Sequence, residues 1–242
     1  MIRELSTPGE LAAACGDDDL VMWAAQGLAG GGRAWAGGRA VVAGAPGISR
    51  RDRLAVWGDP ADAAAVLRHA LAELGPSYRP LGEADLMRQV AERVPGLGRV
   101  GVFSWMSLEQ VPIGPSDGVS WLEGRFEGQI GRLLAEHAPD SYAVPGGQGV
   151  ARWAGVRVEG RLAAVAADAW SAPSVGFVAG VATAAPWRGA GLAGRVCRWV
   201  SGRLVAAHGR AALMVDDDNV AALRLYAGLG YRRRAVAACV VS

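Results

Sequence analysis

The chain has 242 residues, of which 51% are hydrophobic, and a formal charge of +2. That length suits one large domain or two small ones with an ample core, and the near-neutral charge argues against a nucleic-acid or anionic-membrane surface. All 25 basic residues are arginine, which excludes Schiff-base and P-loop lysine chemistry.

From the N-terminus, Thr7-Pro8-Gly9-Glu10 reads as a capping box with proline at the first helical position, opening a helix through Cys15. Arg39–Ala43 and Leu54–Trp57 read as strands separated by a turn-rich stretch, Gly44–Arg53. Asp59-Pro60 starts a helix carrying Leu67, Leu71 and Leu74 at helical spacing, and Gly75-Pro76 stops it. A further helix is expected over Glu83–Arg93 and a strand over Arg99–Trp105. No cluster in this half suggests chemistry. Gly114–Gly118 is the best linker, so an α/β region over 1–113 and a second domain over 119–242 are expected.

After the linker, the stripe Leu122, Phe126, Ile130 and Leu133/Leu134 predicts a helix over Trp121–His137, followed by a loop, Ala138–Gly149. Arg152–Val158 and Arg161–Ala169 flank Glu159-Gly160, a two-residue hairpin signal. Val175–Thr183 is a strand, Gly189–His208 a helix ended by Gly209, Ala211–Val215 a strand, Asn219–Leu229 a helix and Tyr231–Val241 a strand. The order is mixed α/β, a central mixed sheet flanked by helices, and not a repeated βαβ unit. Arg232-Arg233-Arg234 is the one tight basic run and is placed on an edge strand, too little for DNA binding.

Cys15, Cys197 and Cys239 lack C-x-x-C spacing and suit a reduced, cytoplasmic protein. His69, His137 and His208 form no spaced cluster with them, so no metal site is expected. No signal peptide or apolar run of about 18 residues is visible, so no membrane attachment is expected.

Arg188-Gly-Ala-Gly-Leu-Ala-Gly194 supports two readings, each placing phosphate on a helix N-terminus. From Gly189 it is G-x-G-x-x-G, with Asp216 near the spacing of a dinucleotide fingerprint, which would make the chain a nicotinamide-dependent oxidoreductase. Yet Ala184–Arg188 intervene between strand and first glycine, and too few βα units follow. From Arg188 it is R-x-x-G-x-A, a pyrophosphate loop. This Pro186–Ala193 segment, together with Asn219-Val-Ala-Ala-Leu-Arg-Leu-Tyr226-Ala-Gly-Leu-Gly230-Tyr231, resembles the GNAT acyltransferase superfamily over about residues 119–242. The strand–helix alternation of the N-terminal half would suit a degenerate second copy of that fold.

The resemblance implies transfer of an acyl group, most simply acetyl from acetyl-CoA, directly to the primary amine of a small molecule or amino acid. It implies that Val181, Ala182 and Thr183 pair with the pantetheine arm, with a backbone N–H near Val181 polarising the thioester. Arg188, Gly189, Ala190, Gly191, Leu192 and Ala193 would surround the pyrophosphate. Asn219 would cap its helix and touch the cofactor arm. Tyr226 would protonate the departing thiolate. For the general base the residues leave Asp168, Ser174 or a water chain open. A non-catalytic acyl-CoA-binding or assembly module, with one half serving a homodimer, is the alternative.

Overall fold

The computed structural model describes residues 1–111 and 113–241; Pro112 and Ser242, which fall within the two expected domains, lie outside the described residues. The N-terminal half runs β1 (Ile2–Glu4), α1 (Pro8–Cys15), α2 (Asp19–Ala25), β2 (Arg33–Gly37), β3 (Ala40–Ile48), β4 (Arg51–Gly58), α3 (Pro60–Leu74), β5 (Tyr78–Glu83), α4 (Ala84–Ala91) and β6 (Leu97–Leu108). The C-terminal half repeats that plan. It runs β7 (Val119–Trp121), α5 (Glu127–His137), β8 (Val150–Val158), β9 (Arg161–Ala169), β10 (Gly176–Thr183), α6 (Leu192–His208), β11 (Ala211–Val215), α7 (Val220–Gly228) and β12 (Arg232–Val241).

All described strands join one mixed sheet in the order β1-β2-β3-β4-β5-β12-β6-β11-β10-β9-β8-β7. Each half contributes five strands in sequence and then closes on the last strand of the other. β6 lies antiparallel between β11 and β12, and β12 lies antiparallel between β5 and β6. The halves are therefore a pseudo-symmetric pair that exchange their final strands.

Local signals account for most boundaries. Thr7 and Glu10 form the expected reciprocal capping box, with Pro8 in the first turn of α1. Asp59 caps α3, Asn219 caps α7 through the Ala222 N–H, and left-handed Gly209 ends α6. Three expectations need correction. The helix expected from Trp121 begins at Glu127, because Val119–Trp121 instead pair with Val156–Ala154 of β8. The turn-rich Gly44–Arg53 is largely strand. β3 and β4 continue to a two-residue turn whose Ser49 and Arg50 both have left-handed φ, 52° and 57°. Arg232–Arg234 sit in an interior strand, where Glu109, Asp217 and the Asp18/Asp19 pair answer their charges.

The core crosses between halves. Trp23 of α2 stacks on Phe177 of β10 at 4.7 Å and lies 5.3 Å from Trp105 of β6. Its indole N–H donates to the Trp170 carbonyl at 2.9 Å. On the other face of the C-terminal half, Ala163, Ala164 and Ala166 of β9 let α6 approach closely with Val196, Cys197, Val200 and Leu204. Cys15, Cys197 and Cys239 are all buried. Among the described residues no helix is long and apolar enough to cross a membrane.

Candidate active site

A cleft of about 1420 Å³ opens where β10 and β11 separate. These parallel strands pair only at Gly176–Ala211 and Phe177–Ala212. Beyond that point β10 continues along β9 to Thr183 while β11 continues along β6 to Val215. The inner edge of β10 is left without a strand partner, ready for an extended ligand. The register between β9 and β10 also slips by one residue between Ala179 and Ala182, a bulge centred on Gly180 with φ of 60°. A bulge frees backbone groups from the ladder and re-aims them. Glycine is required there twice over, because a Cβ would lie 2.4 Å from the Trp153 ring and the φ is left-handed.

The 3-10 turn Ala185–Trp187 follows, and then the left-handed Gly189 and Gly191, φ 81° and 74°. These turns delay the start of α6 to Leu192, three residues after the expected start at Gly189. Among the described residues no side chain caps α6, so its first-turn N–H groups and the positive end of its dipole are left open toward the cleft. The equivalent place in the N-terminal half is closed. β4 and β5 pair at five successive positions, Asp52–Tyr78 to Val56–Gly82. The N-terminus of α3 is already occupied by Asp59, whose carboxylate accepts from the Ala61 and Asp62 N–H groups. A strand slot without a gap and a helix start holding a carboxylate can take neither an extended arm nor a phosphate.

Val181, Ala182, Thr183, Arg188, Gly189 and Gly191 line the cleft, as do Leu192, Ala193, Asn219 and Tyr226; Ala190 and Asp168 do not. Thr183 Oγ1 is buried with no hydrogen-bond partner, a polar atom suited to a ligand beside β10. The exposed Arg188 uses its Nε to hold the Thr183 carbonyl at 3.2 Å, so its side chain ties the loop to the strand. Asn219 Oδ1 accepts from Ala222 N. Tyr226 is 6% exposed. Burial, reinforced by Cys197 and Tyr231, holds its phenol well above the usual value of 10, so the proton stays on the ring at neutral pH.

Asp168 sits elsewhere. It is 4% exposed, paired with Arg152 Nε at 3.1 Å, and accepts from the Ser171 hydroxyl at 2.6 Å. Ser171 in turn accepts from Phe177 N at 2.8 Å. With both oxygens engaged and no face on the cleft, Asp168 fastens β8 and β9 to the start of β10 and is not placed to take a proton from an acceptor there. The carboxylates that do line the cleft are Asp140 and Asp216. Ser174 is not among the lining residues. Sequence reasoning also missed Arg50, Arg51, Arg53 and Arg79, which reach the cleft from the N-terminal half beside Tyr142.

Among the described residues no group of three or more His, Cys, Asp or Glu could hold a metal. The sheet has only two parallel pairs among the described strands, β4–β5 and β10–β11, so it is not the doubly wound sheet that a dinucleotide fingerprint requires.

Residues 154–240 match the family model described as FR47-like protein. No curated protein matches the chain significantly. Solved structures do. A GCN5-related N-acetyltransferase from Kribbella flavida is 21% identical with a TM-score of 0.60, over 93% of this chain and 95% of that one. A GCN5-related N-acetyltransferase from Sphaerobacter thermophilus is 16% identical with a TM-score of 0.57, over 99% and 94%. A GNAT-family acetyltransferase from Colwellia psychrerythraea is 13% identical with a TM-score of 0.55, over 99% of each.

Proposed function

We propose that this chain, which has the fold of the GNAT superfamily, is an N-acyltransferase that moves an acetyl group from acetyl-CoA to a primary amine of a small molecule. The observation that carries the reading is the split between β10 and β11 beside an uncapped α6. The contrast with β4, β5 and Asp59-capped α3 supports placing acyl-CoA in the C-terminal half alone. We take residues 119–242 as the acyl-CoA-binding region and 1–113 as the partner that completes the sheet and the acceptor side.

In this mechanism the arm of acyl-CoA pairs with Val181–Thr183, and its pyrophosphate sits against the N–H groups from Gly189 to Ala193, where the helix dipole favours negative charge. The amine nitrogen attacks the thioester carbon. A backbone N–H at the Gly180–Val181 bulge donates to the oxygen as charge develops, a contribution typically of ~3 kcal/mol. The C–S bond then breaks and Tyr226 gives its proton to the departing thiolate. The amine proton leaves to solvent through the open cleft, and Tyr226 is reprotonated from the same solvent. Asp168 acts as a positioning residue for β10. The three cysteines are buried, so direct transfer in a ternary complex is preferred to a covalent acyl-enzyme.

Tyr226→Phe tests the assignment. Thiol release from acetyl-CoA should fall by roughly 100-fold, in the range for loss of a general acid, while calorimetric affinity for acetyl-CoA stays within about twofold of wild type. Wild-type turnover at saturating acceptor would remove Tyr226 from the mechanism. Acetyl-CoA binding by the wild type with no thiol release on any amine would favour the non-catalytic module.

A further inference from the structure

Three half-buried arginines of this protein are answered by carboxylates: Arg33 by Glu4 and Glu73, Arg234 by Asp18 and Asp19, and Arg210 by Asp17. Arg53 is more deeply buried than these. It is 8% exposed, its Nε is buried without a hydrogen-bond partner, and it forms no ion pair among the described residues. Its register partner across the parallel β4–β5 pair is Arg79, a like charge beside it. Arg51, two residues earlier on β4, shares that face, and Arg50 stands at the strained turn with its guanidinium 5.7 Å from the Tyr142 ring centroid. Asp52, between them, is committed to the Gly47 N–H at 3.0 Å. Burial pushes the Arg53 guanidinium down to about 10; Tyr142 raises it, and Arg51 and Arg79 lower it.

A buried cation with like-charged neighbours and no counter-charge costs stability, and Arg53, with three less buried arginines lining the same cleft, has no structural return. An anion entering the cleft would supply the missing partner. Guanidinium forks match carboxylate and phosphate oxygens in geometry as well as charge.

We propose that the acceptor is an amine carrying an anionic group, a carboxylate or a phosphate, and that Arg53 and Arg79 hold that group while Arg50 and Arg51 line its entrance. The N-terminal half, whose own cofactor slot is closed, thereby supplies acceptor specificity to the C-terminal half. This rests on the acyl-CoA reading above, so one arm of the test is independent of acetyl transfer.

Three amines of similar length with neutral, carboxylate and phosphate ends (propylamine, β-alanine and 2-aminoethyl phosphate) are compared in acetyl-CoA thiol release by the full chain. At least one anionic amine should exceed propylamine in kcat/KM by about tenfold or more, and which one does so identifies the group. Arg53→Gln should raise KM for that amine roughly 10- to 100-fold, the range for a lost charged hydrogen bond, with acetyl-CoA affinity and melting temperature retained. Arg79→Gln, at a less buried site, should act in the same direction. Independently, inorganic phosphate or acetate alone should raise the melting temperature of the wild type and not of Arg53→Gln. Equal use of propylamine overturns the proposal, as does failure of both anions to bind the wild type. Loss of acetyl-CoA affinity in Arg53→Gln also overturns it, by giving the arginines to the phosphates of CoA. If instead the acyl-CoA reading fails, the wild type does not bind acetyl-CoA while the anion-dependent melting shift persists.

Discussion

Gly180→Ala strikes the bulge that frees the edge of β10. The new methyl would lie 2.4 and 2.8 Å from two atoms of the Trp153 ring and 3.2 Å from Ala143 Cβ, all buried groups with little room to retreat. Placing alanine at φ 60° costs roughly 1–2 kcal/mol, and overpacking adds roughly 1–3 kcal/mol. Each kcal/mol shifts the melting temperature of a chain this long by about 2–4 °C, so a fall of roughly 5–15 °C is expected. Displacing the Val181 N–H should also cost about 100-fold in kcat, as for a lost oxyanion donor. Gly160→Ala is the control, because its φ of 77° is equally left-handed but nothing lies within 4 Å of its Cβ. It should show only the backbone cost and full turnover. Thermal melting and thiol release from acetyl-CoA, run on both variants, decide the matter. If Gly180→Ala melts with Gly160→Ala and keeps wild-type turnover, the bulge neither clashes nor positions a catalytic N–H.

Gly191→Asp would give α6 the carboxylate that Asp59 gives α3. Two unit charges about 4 Å apart at an effective dielectric near 20 repel by ~4 kcal/mol, so acetyl-CoA affinity should fall about 100- to 1000-fold by calorimetry; unchanged affinity would move the pyrophosphate elsewhere. Alkaline pH provides a second check. Burial raises the Cys197 thiol to about 12 and the Tyr226 and Tyr231 phenols above their ordinary value. In the unfolded chain these groups ionise near ~8.5 and ~10, so the folded state holds its protons more tightly. The stabilisation is complete below pH ~8.5 and is lost as pH rises through the unfolded and then the folded values. The melting temperature should therefore decline from about pH 9 upward, and phenolate absorbance from Tyr226 and Tyr231 should emerge only with unfolding. Ionisation of both near pH 10 in an intact fold would contradict their burial.

Local signals in the sequence were reliable where the chain acts over a few residues. The Thr7 and Asn219 caps, the Glu159-Gly160 turn and the Gly209 stop all lie where pattern places them. The glycine loop before α6 and the α7 segment carrying Tyr226 were legible as contiguous motifs, and the fold brings both to the cleft. What escaped is non-local. Nothing in Leu97–Leu108 announces that it will lie between β11 and β12, because pairing partners more than a hundred residues apart leave no periodicity. That pairing is why Arg232–Arg234, charged enough to suggest an edge, end in the middle of the sheet beside Glu109, Asp217 and Asp18. Arg53 and Arg79 converge only because β4 and β5 run parallel in register. Asp168 was an acidic residue near the right strand, but Arg152 and Ser171, met only in the folded sheet, occupy it.

The strand exchange has a consequence for how such a molecule is made and kept. β5 presents a bare edge until β12 arrives, and β12 follows every other strand of the sheet in chain order. The N-terminal half thus leaves the ribosome with its sheet open, and closure waits for β12, a high contact-order step of the kind that is slow and exposed to aggregation. The N-terminal half cannot be removed without the C-terminal half losing β6, whose Gly101 and Phe103 line the cleft.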